Sequence, residues 1–164
     1  MTTHGLHHGR GTEMTSTPLG YLLNNPGNLR HSARFVWDGE VFPPTVFIAH
    51  GFCQFIDMFH GCRASVKNLQ AKFREGLDTV EKIIGDPHLG WAPATENDTV
   101  EYVSAVCSQT AFGPTQELTP DAPTLYALAK AIFRVELGGH FVLDETIRQA
   151  VALLVPPRVD EGAR

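Results

Sequence analysis

Glu136 is the residue of this chain whose position suggests chemistry first. At helical steps it continues the apolar stripe Leu125, Ala129, Ile132, which turns its carboxyl toward the side that is otherwise buried. Desolvation raises a carboxyl pKa, and a protonated carboxyl near neutral pH is what general-acid cleavage of a glycosidic bond needs. Gly138 and Gly139 follow, letting the chain leave the helix tightly and leaving room for a bulky substrate. The competing reading puts Glu136 in solvent, paired with Arg134, Lys130 or His140. A glycosidase wants a second carboxylate roughly 5 to 9 Å from the first. Asp98 is the candidate carried forward as the second catalytic residue, beside Glu96 and Asp38. Asn97-Asp98-Thr99 before an apolar-periodic run is also ordinary helix-capping chemistry.

The run Asn24-Asn25-Pro26-Gly27-Asn28-Leu29-Arg30 gathers three amides and a guanidinium around a Pro-Gly turn. Asn24, Asn25, Asn28 and Arg30 are expected to donate to the acetamido and lactyl groups of a glycan, with Trp37, Trp91 and Tyr102 offering flat faces to sugar rings. The alternatives are structural: Asn-Pro-Gly is good turn chemistry, and large aromatics also build cores. Arg63 is expected to be an ion-pair partner at a helix start. A thiol mechanism, with Cys53 or Cys62 as nucleophile and His50 or His60 as base, is a further alternative.

These residues must be held by helices. Val66, Leu69 and Phe73 predict one from about His60 to Arg74, ended by Gly76. Asp78 or Thr79 caps a short one with Val80, Ile83 and Ile84 inward, and Gly85-Asp86-Pro87 closes it. Asn97 or Asp98 caps a third, carrying Val100, Val103 and Val106. Asp121 caps a fourth to Leu137, with Pro123 in its first turn, and the last runs from Asp144 to Leu154 before Pro156-Pro157. Residues 34 to 56 alternate short aromatic and β-branched runs around Gly39 and Pro43-Pro44, which suggests a small hairpin or irregular β region. The expected class is α+β, mainly α. Residues 1 to 20, rich in Gly, His, Thr and Ser, are expected to be a disordered arm in which His4, His7 and His8 hold no metal. The folded domain is expected over 21–157, with a tail at 158–164.

A length of 164 residues suits one domain, and 43% hydrophobic with 19% charged residues describes a globular protein. The formal charge of −5 argues against a nucleic-acid binder, which needs a basic face. Three cysteines, an odd number without close zinc-type spacing, argue against a disulfide framework and against a metal site. No cofactor is expected. No stretch reaches the ~18 apolar residues of a membrane span. The first twenty residues lack the apolar core of a signal peptide. The protein is therefore expected to be made in the cytoplasm, and any target in the periplasm or cell wall would be reached by another route, such as a holin pore, a phage tail or a contractile secretion device.

NNPGNLR, Trp37-x-Gly39, Phe52-Cys53-Gln54-Phe55, Gly61-Cys62-Arg63-Ala64, Trp91-Ala92-Pro93 with Glu96-Asn97-Asp98-Thr99 and Tyr102, and Ile132 to Gly138 occur here in one order. Over roughly Leu22 to Leu154 the chain thereby resembles a family of phage and prophage proteins generally described as virion or lytic proteins. A second resemblance is to flagellar and autolysin-type glucosaminidases of the lysozyme-like superfamily. Those carry a catalytic Glu in E-S-G, followed downstream by N-N-x-x-G-[IL]-K and then W-x-G. Here the pieces are in reversed order, as in a circular permutation, with Glu136-Leu137-Gly138 last. The resemblances imply a lysozyme-like domain that cleaves peptidoglycan glycan strands, as a muramidase, glucosaminidase or lytic transglycosylase, with an immunity protein or a phage or secretion-system component as further partner. The alternative is a non-enzymatic virion or glycan-binding module.

Overall fold

A computed structural model describes residues 16–45, 49–94 and 98–157. The expectations for His4, His7 and His8, for Glu96 and Asn97, for the run Val46 to Ile48 and for the tail fall outside those residues.

The fold is mainly helical. Six helices follow in order: α1 Leu19–Leu22, α2 Met58–Arg74, α3 Val80–Gly85, α4 Thr99–Thr110, α5 Ala122–Glu136 and α6 Asp144–Leu154. Their starts obey capping chemistry. Asp57, Thr79, Asp98 and Asp121 each accept a hydrogen bond from a backbone N–H three residues on, satisfying a donor that the helix itself cannot. α2 begins two residues before His60 because Asp57, rather than a later residue, is the cap. α2 packs on α6, α5 and α3, and α5 on α4 and α6. The main core is built from Val66 and Leu69, Ile83 and Ile84, Val106, the α5 stripe Leu125, Leu128, Ile132 and Phe133, and Ile147. Each such side chain contributes roughly 1.5 to 3 kcal/mol by leaving water.

On α4 the inward face is shifted from the expected one. Val100 is 82% exposed, while Tyr102 and Val106 are buried and Val103 is half-buried. Val106 shares its face with Tyr102 four residues before it, and Val100 lies off that face. Of the small hairpin or irregular β region expected, the described residues show the irregular form. Residues 30 to 55 make three isolated antiparallel bridges, Arg30 with Phe52, Ser32 with Phe35 and Glu40 with Phe55. Leu19 and Gly20, which the sequence assigns to the arm, are helical, and Gly20 is buried.

A second, smaller core of Leu29, Cys53, Phe55 and Ala64 lies under this irregular region, with Trp37 and Trp91 packed against it. The Asn-rich loop is pressed between two helices at glycines. A Cβ at Gly61 of α2 would lie 1.9 Å from the Asn24 carbonyl, and one at Gly20 of α1 would lie 2.7 Å from Asn28 Oδ1 and 2.8 Å from the Asn25 carbonyl. Only the missing side chains let both helices close on the loop. The sequence signal of a turn is thus converted into a rigidly packed one.

Candidate active site

Residues 108 apart in sequence meet at the end of α5. Asn28 Nδ2 donates to Glu136 Oε2 at 2.7 Å, and Tyr102 Oη donates to Glu136 Oε1 at 2.7 Å. Three elements thereby supply one cluster: α5 the carboxyl, α4 the phenol and the Asn-rich loop the amide. The helix ends immediately beyond, through Gly138 at φ +58° and Gly139 at φ +88°, and a Cβ at either would meet nothing within 4 Å. Solvent pairing with Arg134, Lys130 or His140 is not what holds Glu136. Lys130 pairs with Asp144 at 2.9 Å, Arg134 lies over the Phe141 ring, and the His140 ring contacts the Leu137 carbonyl.

Burial raises the Glu136 carboxyl above its ordinary pKa of 4.5, and the two hydrogen bonds from Tyr102 and Asn28 pull it back in part. Desolvation is the larger effect, so the proton is held more tightly than on a surface glutamate. Tyr102 is pushed well above its ordinary range, by burial first and by the Glu136 charge second, so it remains a donor. A carboxyl of this kind can protonate a leaving oxygen and later take a proton back.

Of the other expected residues, the structure redistributes several. Tyr102 is 7% exposed, so its ring presents no face to a sugar, and its role is to orient Glu136. Asn25 is fully buried. Its Nδ2 donates to the carbonyls of Leu29 and Cys53 at 2.9 Å each, and its Oδ1 accepts from the Leu29 N–H at 2.9 Å. Asn24, at φ +53°, turns its amide to the Phe55 carbonyl. Both are framework for the loop rather than ligand contacts. Trp37 is packed against the smaller core and edge-on to Phe35 at 4.9 Å, again as a packing residue. Asp98 caps α4 through the Glu101 N–H at 3.1 Å, and no hydrogen bond joins it to the Glu136 cluster. Asp38 is paired with Arg63 at 2.5 Å, the expected structural ion pair.

Asn28, Arg30 and Trp91 do come together. With Gly27, Leu29, Asn68, Lys72, Gly90 and Pro93 they line a cleft of about 240 Å³. Trp91 is fixed in its wall by Nε1 donating to the Gly27 carbonyl at 3.1 Å, and Arg30 lies over Phe52 at 4.7 Å. Asn28 belongs both to this wall and to the Glu136 cluster. Asn68 and Lys72 were not among the expected site residues; their one-turn spacing on α2 was the available signal, hidden because a Lys in an amphipathic helix reads as a solvated face.

The thiol alternative loses its chemistry here. Burial first, then the neighbouring Glu40 charge and hydrogen bond, push Cys53 up to about 12, and burial pushes Cys62 to about 12. Neither supplies a thiolate near neutral pH. Among the described residues no group of three or more His, Cys, Asp or Glu is arranged to hold a metal, and no helix is long and apolar enough to cross a membrane.

Tyr102→Phe tests the cluster. Removing the hydroxyl takes away a donor to the carboxylate while leaving the ring in place, so the Glu136 pKa should rise further, which an NMR pH titration of the carboxyl reads. An unmoved titration would show that the hydroxyl serves packing alone.

No protein-family model matches the chain. It is 30% identical over 141 residues to Protein P5 of Pseudoalteromonas phage PM2, an alignment covering 82% of this chain and 81% of that protein. At that identity and coverage, the chain belongs to the phage protein family of Protein P5.

Proposed function

We propose that this protein cleaves the glycan strands of bacterial peptidoglycan, as a muramidase, glucosaminidase or lytic transglycosylase, with Glu136 as general acid. The observation that carries the reading is a carboxyl raised by burial and oriented by Asn28 and Tyr102, one side chain away from a cleft lined by Trp91, Asn68 and Arg30. Such a proton donor beside amides and an aromatic wall suits an N-acetylated sugar polymer. Asp98 and Asp38 are engaged elsewhere; on this reading Glu136 acts first as acid and then as base, and the substrate's own acetamido group or 6-hydroxyl completes the displacement. On this reading the domain is a permuted relative of lysozyme-like folds, and a phage component acting at the cell wall.

The test is direct. The protein is incubated with purified peptidoglycan, and soluble fragments are examined by mass spectrometry. Reducing N-acetylmuramic acid, reducing N-acetylglucosamine and anhydro-muramyl ends correspond to muramidase, glucosaminidase and transglycosylase respectively. Binding to the wall without any released fragment would overturn the enzyme and leave the glycan-binding virion module.

A further inference from the structure

The cleft beside Asn28 contains an ammonium group in an unusual setting. Lys72, in the last turn of α2, is only 8% exposed. Its Nζ donates to the Leu89 carbonyl and lies 5.5 Å from the centre of the Trp91 ring. No carboxylate among the described residues forms an ion pair with it. Burial pushes its pKa down to about 8, and the charge of Asp86 offsets this only in part. An ammonium carries three donors and no acceptor, and a buried cation without a paired anion is costly. The same cleft wall carries the Asn68 amide and the cationic Arg30, both on a chain whose formal charge is −5. Lys72 and Arg30 thus line one cleft, which meets the Glu136 cluster through Asn28.

We propose that the cleft between the Asn-rich loop, α2 and the Gly90 to Pro93 segment is a carboxylate subsite, in which Lys72 pairs with an acidic group carried by the glycan substrate. The inference rests on the peptidoglycan reading above and narrows it: the enzyme selects N-acetylated sugars that bear a carboxylate over neutral N-acetylated chains. Asn28 couples the two functions, since the side chain that orients the acid also walls the subsite. Trp91 keeps the ammonium in place from one side and excludes water, which strengthens the pairing. Two carboxylates of the wall share this chemistry: the lactyl group of an unsubstituted muramic acid and the carboxylates of its peptide stem.

Monosaccharide ligands test this without any glycosidic bond to cleave. Full-length protein is titrated by NMR with N-acetylmuramic acid, with muramyl dipeptide, with the carboxamide of that dipeptide, and with N-acetylglucosamine. At least one acid should bind about tenfold more tightly than its neutral counterpart, the size of one charge-assisted hydrogen bond. Preference for N-acetylmuramic acid identifies the lactyl group; preference for muramyl dipeptide identifies the stem. Lys72→Met should abolish the preference while leaving the weak neutral binding, and Lys72→Arg should keep most of it. Equal affinity of the parent for acid and carboxamide, or no measurable binding of either acid, overturns the subsite whatever the variants do. An undiminished preference in a folded Lys72→Met protein also overturns it. Failure of the enzyme reading would look different, as retained acid preference with no fragments released from intact wall.

Discussion

Glu136→Gln is expected to fold, to retain binding to peptidoglycan and to lose cleavage by a factor on the order of 10² or more, the usual size of general acid assistance. Gln keeps the shape and can still accept from Asn28 while donating to the Tyr102 oxygen, so the cluster persists without a transferable proton. The parent's activity should fall as pH rises through the elevated carboxyl pKa, and the variant should show no such limb. Stability carries a second signature. A carboxyl raised in the folded state contributes stability that is fully present below its unfolded pKa and is lost as pH rises through the folded one. The amide does not titrate, so the variant should equal the parent in acid and gain on it in melting temperature across that window. Thermal melts at several pH values read this beside the activity profile. Full activity in Glu136→Gln would remove it from the chemistry and favour the binding module.

What could be read from the chain beforehand follows the range of the forces involved. α3, α5 and α6 and the end of α2 are local matters, written in apolar steps of three and four and in capping residues such as Asp121, so they were legible. The placement of Glu136 on a buried stripe was legible for the same reason. Its partners were only half so. Asn28 and Tyr102 stood out by type, yet the contact between positions 28 and 136 depends on Gly20 and Gly61 admitting two helices onto one loop, which no local pattern encodes. Tyr102 looked like a platform because an aromatic near a Trp-Ala-Pro loop can face either way, and only the rotation of α4 decides it. The irregular segment between Arg30 and Phe55 has strand-like residues, but it is tied by scattered bonds such as Cys53 N–H to the Leu29 carbonyl and Val41 N–H to the Gln54 carbonyl rather than by a ladder. Lys72 was invisible because its burial comes from Trp91 and Leu89, contributed by a loop distant in sequence.

The Asn-rich loop divides into framework and function, and two substitutions three residues apart should separate them. Asn25→Ala strips partners from the Leu29 N–H and from the carbonyls of Leu29 and Cys53, all enclosed by the smaller core. The Leu29 carbonyl keeps the Cys53 N–H, but the Leu29 N–H and the Cys53 carbonyl lose their partner at ~1 to 3 kcal/mol each, so a loss on the order of 3 kcal/mol is expected, a fall in melting temperature of about 10 °C. Activity should then track the folded fraction. At position 28 the backbone is left-handed, φ +48°, which Gly adopts more readily than Ala. Asn28→Gly therefore removes the amide without imposing backbone strain, and the melting temperature should move by only a few degrees. Its activity should nevertheless fall roughly tenfold or more, because Glu136 Oε2 loses the donor that orients it and the cleft loses part of its wall. Circular dichroism melts set against fragment release decide between these roles. If Asn28→Gly instead keeps full activity, the amide only packs the loop; if Asn25→Ala melts like the parent, the loop is held by its glycine contacts alone and the division drawn here is wrong.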